Sequence, residues 1–227
     1  MTDINYNNLV ENYIFYFNKS KNIGESFGGP SLYFHNRALF EMKNNFLGET
    51  HIAMIYATLA SWGMHRMGET KTKLADFQAF KESILLNEKE LRYLQNIKIE
   101  SIKPTEKDNI IKDINKICFS FQVSISDSKI VGNSKTLAHI LPSLVPPIDR
   151  QYTIRFFQAI DIGKSVRDFK DIPDEKKYFD FILGKTFDFV NLIQKDSTIE
   201  ITNGFHTSYP KIFDNLIMAY IKEHIRK

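Results

Sequence analysis

Between Ser128 and Phe157 the chain reads SKIVGNSKTLAHILPSLVPPIDRQYTIRFF, and its chemistry-bearing residue types are concentrated there. Gly132, Asn133 and Ser134 are three small residues in a row, which make a tight turn easy. Lys135 to Leu141 then reads as a helix, with Leu137, Ile140 and Leu141 apolar. A turn that opens onto a helix aims backbone N–H groups outward from the helix start. Such a start binds anions, and a phosphate is the natural guest. Lys135 and Arg150 add positive charge nearby. Ser143 to Pro147 breaks the helix, and Ile148 and Asp149 precede another apolar-faced helix, Arg150 to Ile160. Asp149 thus stands where aspartate is a common N-cap, and the helix start favours its ionised form. The residues leave alternatives open. Asp149 is a cap, a catalytic carboxylate or both. Lys135 is an amine nucleophile, a phosphate contact or a solvated first-turn lysine. The three small residues equally suit an ordinary connection between helices.

The elements that position these residues are expected to be helical throughout. Tyr6 to Asn18 is a first, very apolar helix candidate, followed by a loop marked by Gly24, Gly28, Gly29 and Pro30. A second helix is expected over Leu32 to Asn44. A third follows Thr50, where Ile52, Ile55, Tyr56, Leu59 and Trp62 share one face. Charged helices follow near Lys73 to Leu86 and Glu88 to Ile97. After Pro104 the pattern is clearest: Thr105 and Asp108 suit a capping box, and Ile110, Ile111, Ile114, Ile117, Cys118 and Phe121 form a stripe. Cys118 on that stripe is expected to be a buried apolar residue. Two long helices are expected near Asp174 to Gln194 and Ser208 to Ile225. The β-like runs Val123 to Ile125 and Thr198 to Thr202 are brief and isolated.

Composition removes several function classes. The chain has 227 residues and one cysteine, so disulfide scaffolds, cysteine zinc sites and four-cysteine iron–sulfur clusters are excluded. Seven prolines and ten glycines are too few for a many-stranded sandwich. There is no P-loop, dinucleotide-binding glycine pattern, His-Glu-x-x-His or nucleophile-elbow serine. The six histidines show no i, i+4 pair, so no metal is expected. No run approaches the roughly 18 apolar residues that span a bilayer, and Met1 to Asn8 is polar. A soluble protein of the cell interior, not associated with membrane, is the expectation. The net charge of +3 is too small to prove a polyanionic partner.

The central segment resembles the core motif of the helix-hairpin-helix DNA glycosylase superfamily, in its branch without an iron–sulfur cluster. Gly132-Asn133-Ser134-Lys135-Thr136 is similar to the hairpin turn and helix start. Pro147-Ile148-Asp149 is similar to the loop that delivers the catalytic aspartate. The motif covers about thirty residues, and elsewhere the likeness is in helical character alone. Ser134 stands where the family has its second hairpin glycine, and counting from Gly132 puts Thr136 at the family's lysine position. The resemblance implies an all-α fold of two helical lobes with a cleft between them. The central lobe would hold residues 50–148 and end in the hairpin, and residues 1–49 with 149–227 would form the other.

The resemblance also implies an activity: hydrolysis of the N-glycosidic bond of a damaged or modified base flipped out of double-stranded DNA, by a single chain without cofactor. Asp149 would stabilise positive charge on the sugar and orient a water. Lys135 would add strand cleavage through a Schiff base. Gly132, Asn133, Ser134, Thr136, Arg150 and Arg155 would hold the DNA backbone. A flipped base needs an apolar or aromatic pocket, for which Trp62, His65, Tyr33 and His35 are the candidates, although Trp62 equally suits a core anchor. Two other readings compete: a hairpin that binds duplex phosphates without chemistry, and a helical protein-interaction domain. Asp149→Asn separates base excision from the binding hairpin, and DNA binding itself separates off the protein-interaction domain.

Overall fold

The computed structural model describes residues 4–23, 28–64, 73–126, 128–158, 174–202 and 205–225. Among them the chain is all-α. The helices are α1 (Ile4–Glu11), α2 (Tyr13–Ser20), α3 (Pro30–Asn44), α4 (Glu49–Leu59), α5 (Phe77–Leu85) and α6 (Glu88–Leu94). They continue with α7 (Lys107–Ser120), α8 (Ile130–Ile140), the short α9 (Arg155–Gln158), α10 (Glu175–Ile193) and α11 (Tyr209–Ile225). Wide π-type turns occupy Ala60–Met64 and Arg150–Ile154. No described helix is long and apolar enough to cross a membrane.

Local side-chain chemistry explains where the boundaries depart from apolar periodicity. The first helix is broken at Asn12, whose side-chain amide donates to the Asn8 carbonyl at 2.9 Å and competes with the helical ladder. The capping box expected at Thr105 and Asp108 does not form. Helix α7 starts at Lys107, and Glu106 holds the cap position without a side-chain cap bond. The stripe does form: Ile111, Ile114, Ile117 and Cys118 are buried. Asp174 caps α10 by accepting from the Lys177 amide at 3.1 Å. The run at Val123–Ile125 makes a single antiparallel bridge, Leu74 to Ser124.

Burial sets the packing. Helix α10 lies against α7 and α11, α11 against α2, and α3 and α4 both against α8. Phe179, Phe187, Phe189 and Phe213 are fully buried, and Phe189 stacks on Phe213 with centroids 4.7 Å apart. Aromatic side chains carry the largest area per residue, so this cluster anchors the last two helices.

The expected hairpin turn is not a turn. Gly132, Asn133 and Ser134 lie inside α8, which begins at Ile130. Its N-terminus is filled from within: the Glu175 carboxylate accepts from the amides of Lys129 (2.8 Å) and Ile130 (3.2 Å) and from Ser128 Oγ (2.6 Å). A carboxylate of the chain therefore occupies the anion position at this helix start. The small residues serve close packing. A Cβ on Gly132 would come within 2.9 Å of Met64 Cε and 3.1 Å of Val123 Cγ1.

Candidate functional site

Three segments converge on one cleft. The π-type turn after α4 kinks at Trp62 (ψ 17°) and Gly63, whose φ of 87° is one that glycine adopts freely. That kink turns Ser61, Trp62 and Gly63 toward α8. Ser134 Oγ accepts the Ile148 amide at 3.1 Å, and the Asp149 amide donates to Thr153 Oγ1 at 3.2 Å. These bonds fix the strand-like approach to Asp149. The third segment is α11, preceded by Phe205. The cleft holds about 360 Å³ and is lined by Trp62, Lys135, Asp149, Tyr152, Lys211 and Asp214, among others.

At its floor Lys135 Nζ donates to Asp149 Oδ2 at 2.8 Å. The lysine side chain is 8% exposed and the aspartate 33%, so water reaches the pair from the carboxylate side. Asp149 Oδ1 accepts the Gln151 amide at 2.7 Å, so the residue is both a cap and a cleft carboxylate. Burial works against its charge. The Lys135 ammonium, its hydrogen bond and the amides of Gln151 and Tyr152 outweigh that, and hold the carboxyl below its ordinary value. Lys135 Nζ also lies 5.5 Å from the Trp62 ring centre.

Behind Trp62 stands a row of buried histidines. The Leu47 amide donates to His51 Nδ1 (3.1 Å), which leaves the proton on Nε2 facing the His139 carbonyl (3.3 Å). His139 Nδ1 faces the Lys135 carbonyl (2.7 Å) and must donate there. Its Nε2 then accepts from His35 Nδ1 (2.9 Å). The row is therefore neutral. Burial lowers His51 and His139 to about 4, and lowers His35 as well. His35 stacks on Trp62 with centroids 5.6 Å apart, and His139 lies 5.2 Å from the same ring. The row thus supports both the indole and the helix turn that carries Lys135.

The structure brings together Lys135, Asp149 and Trp62, with His35 beneath the tryptophan. It separates the other expected site residues from them. Asn133 donates its amide to the carbonyls of Cys118 (2.7 Å) and Phe121 (3.1 Å), tying off the end of α7. Thr136 Oγ1 donates to the Gly132 carbonyl at 3.0 Å. Gly132, Asn133, Ser134 and Thr136 are all buried, so none offers a group to a DNA phosphate. Arg155 is buried too, at 6% exposure, because α9 turns it inward. Arg150 is half-buried beside Asp149. Tyr33 is 64% exposed on α3 and does not line the cleft. His65 lies outside the described residues.

A second ion pair escaped the sequence reading. Lys211 Nζ donates to Asp214 Oδ2 (2.6 Å) and to Asn215 Oδ1 (2.8 Å), with both charged side chains at most 7% exposed. Burial pushes the Lys211 ammonium below its ordinary value and the Asp214 carboxyl above its own. Tyr152 lines the cleft as well. Burial, then the charges of Asp149 and Asp214, push its phenol up. The signal was present in the sequence: polar residues at i, i+3 and i+4 inside the apolar run Ile212, Phe213, Leu216, Ile217. No protein-family model, curated protein or solved structure matches the chain.

Proposed function

We propose that the protein is a DNA N-glycosylase with an associated lyase step, acting on a damaged or modified base turned out of the duplex into the cleft. The observation that carries this reading is the Lys135–Asp149 contact of 2.8 Å at the floor of a cleft walled by Trp62. An amine and a carboxylate in contact, one of them reached by water, are the groups that glycosidic cleavage needs. A cleft of about 360 Å³ accommodates a nucleobase, and the indole supplies a stacking face. The two-lobed arrangement belongs to the same proposal.

The chemistry runs as follows. The resting pair is ionised. Seating of DNA over the cleft excludes water from Asp149 and disfavours its charge, so the Lys135 proton passes to the carboxylate. The free amine attacks C1′, the C1′–N bond breaks, and the base leaves with the electron pair and takes up the proton. The C1′–O4′ bond breaks as O4′ takes a proton from Nζ, leaving a Schiff base. A C2′ proton passes to the Asp149 carboxylate as the 3′ phosphate departs and nicks the strand, and water then hydrolyses the Schiff base to release the enzyme. Where water attacks in place of the amine, Asp149 stabilises the oxocarbenium ion and accepts the water proton.

The test is a panel of end-labelled duplexes, each with one damaged or modified base, cleaved with and without hot alkali. Wild type should cut at one class of base, and Asp149→Asn should lower the rate by about 10²–10⁴-fold. Salt-sensitive DNA binding with no cutting of any substrate would replace this reading with a binding module.

A further inference from the structure

Lys211 and Asp214 pose a question that the fold does not answer. Burying an ion pair costs more than the attraction returns unless further bonds share the load. A pair that bridges two elements at least fixes their arrangement. Among the described residues the hydrogen bonds of this pair stay within one helix, because Lys211, Asp214 and their partner Asn215 all lie on α11. A helix holds its i, i+3 and i+4 positions without such help. Helix α11 meets the preceding loop through Asn215 Nδ2 and the Phe205 carbonyl (2.7 Å) and through Lys211 Nζ over the Phe205 ring, contacts that need no buried carboxylate.

Both charged groups line the cleft, in company with Phe205, Trp62 and Tyr152. Lys211 Nζ lies 3.9 Å from the Phe205 ring centre. The known bonds of the pair use two Lys211 N–H groups and one Asp214 oxygen. Among the described residues the third Lys211 N–H and Asp214 Oδ1 make no further hydrogen bond. The pair is neutral overall, so it gives no advantage to a charged ligand. Aromatic walls favour a flat one.

We infer that Lys211 and Asp214 form the base-recognition end of the cleft and take a nucleobase by a lactam edge. The base carbonyl accepts from Lys211 Nζ, and the adjoining ring N–H donates to Asp214 Oδ1. Uracil, hypoxanthine and other oxo-bases with a ring N–H carry that edge. In that pose cytosine and adenine place a ring acceptor nitrogen against the carboxylate and lose a bond there. The choice of a nucleobase rests on the base-excision reading above.

Trp62 is the only tryptophan of the chain, so its fluorescence reports on the cleft alone. 1-Methylpyrimidines and 9-methylpurines carry a methyl in place of the sugar, so nothing can be cleaved and the N1–H or N9–H edge of the free base is blocked. Full-length wild type titrated with 1-methyluracil or 9-methylhypoxanthine should show saturable quenching. The cytosine and adenine counterparts should bind about tenfold or more weakly, the range expected for a lost bond to a charged group. Asp214→Asn keeps an oxygen for Lys211 and turns the second group into a donor. It should reverse the order, so that 1-methylcytosine binds more tightly than 1-methyluracil, an outcome that misfolding does not produce. Equal binding of 1-methyluracil and 1-methylcytosine, no quenching by 1-methyluracil, or an order unchanged in Asp214→Asn overturns the inference. Selective quenching with no excision from any duplex would instead keep this subsite and remove the glycosylase reading.

Discussion

The two lysine–aspartate pairs of the cleft are alike in chemistry and opposite in architecture. Lys135 reaches from α8 to the loop before the Arg150–Ile154 turn, so its bond to Asp149 joins segments that the chain must in any case hold together. Ser134 and Thr153 fix the same loop. The Lys211–Asp214 bond closes within one helix and is more deeply buried. The first pair therefore has a structural use beside any catalytic one, while the second carries the cost of burying two charges whose hydrogen bonds close within one helix. In a protein interior, a charged pair whose hydrogen bonds close within one helix is the stronger pointer to a ligand.

The contrast can be broken experimentally, and the largest effect belongs to the first pair. Lys135→Ala should abolish any borohydride-trapped adduct, and Asp149→Asn should cut excision by about 10²–10⁴-fold. An equal loss in Lys211→Met would erase the distinction. Next comes stability. Lys211→Met alone strands a buried carboxylate and should cost about 3–5 kcal/mol in urea unfolding, whereas Lys211→Met with Asp214→Leu should recover most of it. A double variant as unstable as the single one would mean that the pair tethers the fold after all.

The histidines give a pH effect of intermediate size. His51, His139 and His206 are held down to about 4, with burial the first cause, against an ordinary value of 6.5. The unfolded chain then binds more protons between those values. Stability is full above 6.5, falls as the medium is acidified, and is lost through about 4. Urea midpoints measured across that window should decline, and the decline should be shallower in His51→Gln. The smallest effect is Gly132→Ala. Its Cβ meets the flexible end of Met64 and the side chain of Val123, while the helix gains propensity, so the net change should stay within about 1 kcal/mol. A hairpin glycine would not tolerate that change in DNA binding.

The helical class and most helix centres were legible in the sequence, because the stripes at Ile52–Leu59 and Ile111–Cys118 are the faces that are buried. Lys135 and Asp149 were legible as chemistry-bearing residues. Their contact was not, because nothing local says that α8 and the Asp149 loop face each other. Gly132-Asn133-Ser134 misled for a definite reason. Small polar residues signal turns when their side chains bond their own backbone. Here Asn133 bonds a distant segment, and Ser134 donates back to the Val131 carbonyl while accepting from distant Ile148, so the helix runs through them. Lys211 and Asp214 hid inside an apolar helix whose periodicity marks every nearby face as core.

An abasic duplex tests the central claim most directly, because it dispenses with knowing the base. The chain is mixed with such a duplex and borohydride, and the adduct is digested and mapped by mass spectrometry. The account predicts a covalent sugar adduct on Lys135, absent in Lys135→Ala and retained in the Lys211→Met, Asp214→Leu double variant. No adduct, or an adduct on Lys211 with Lys135 unmodified, would contradict it.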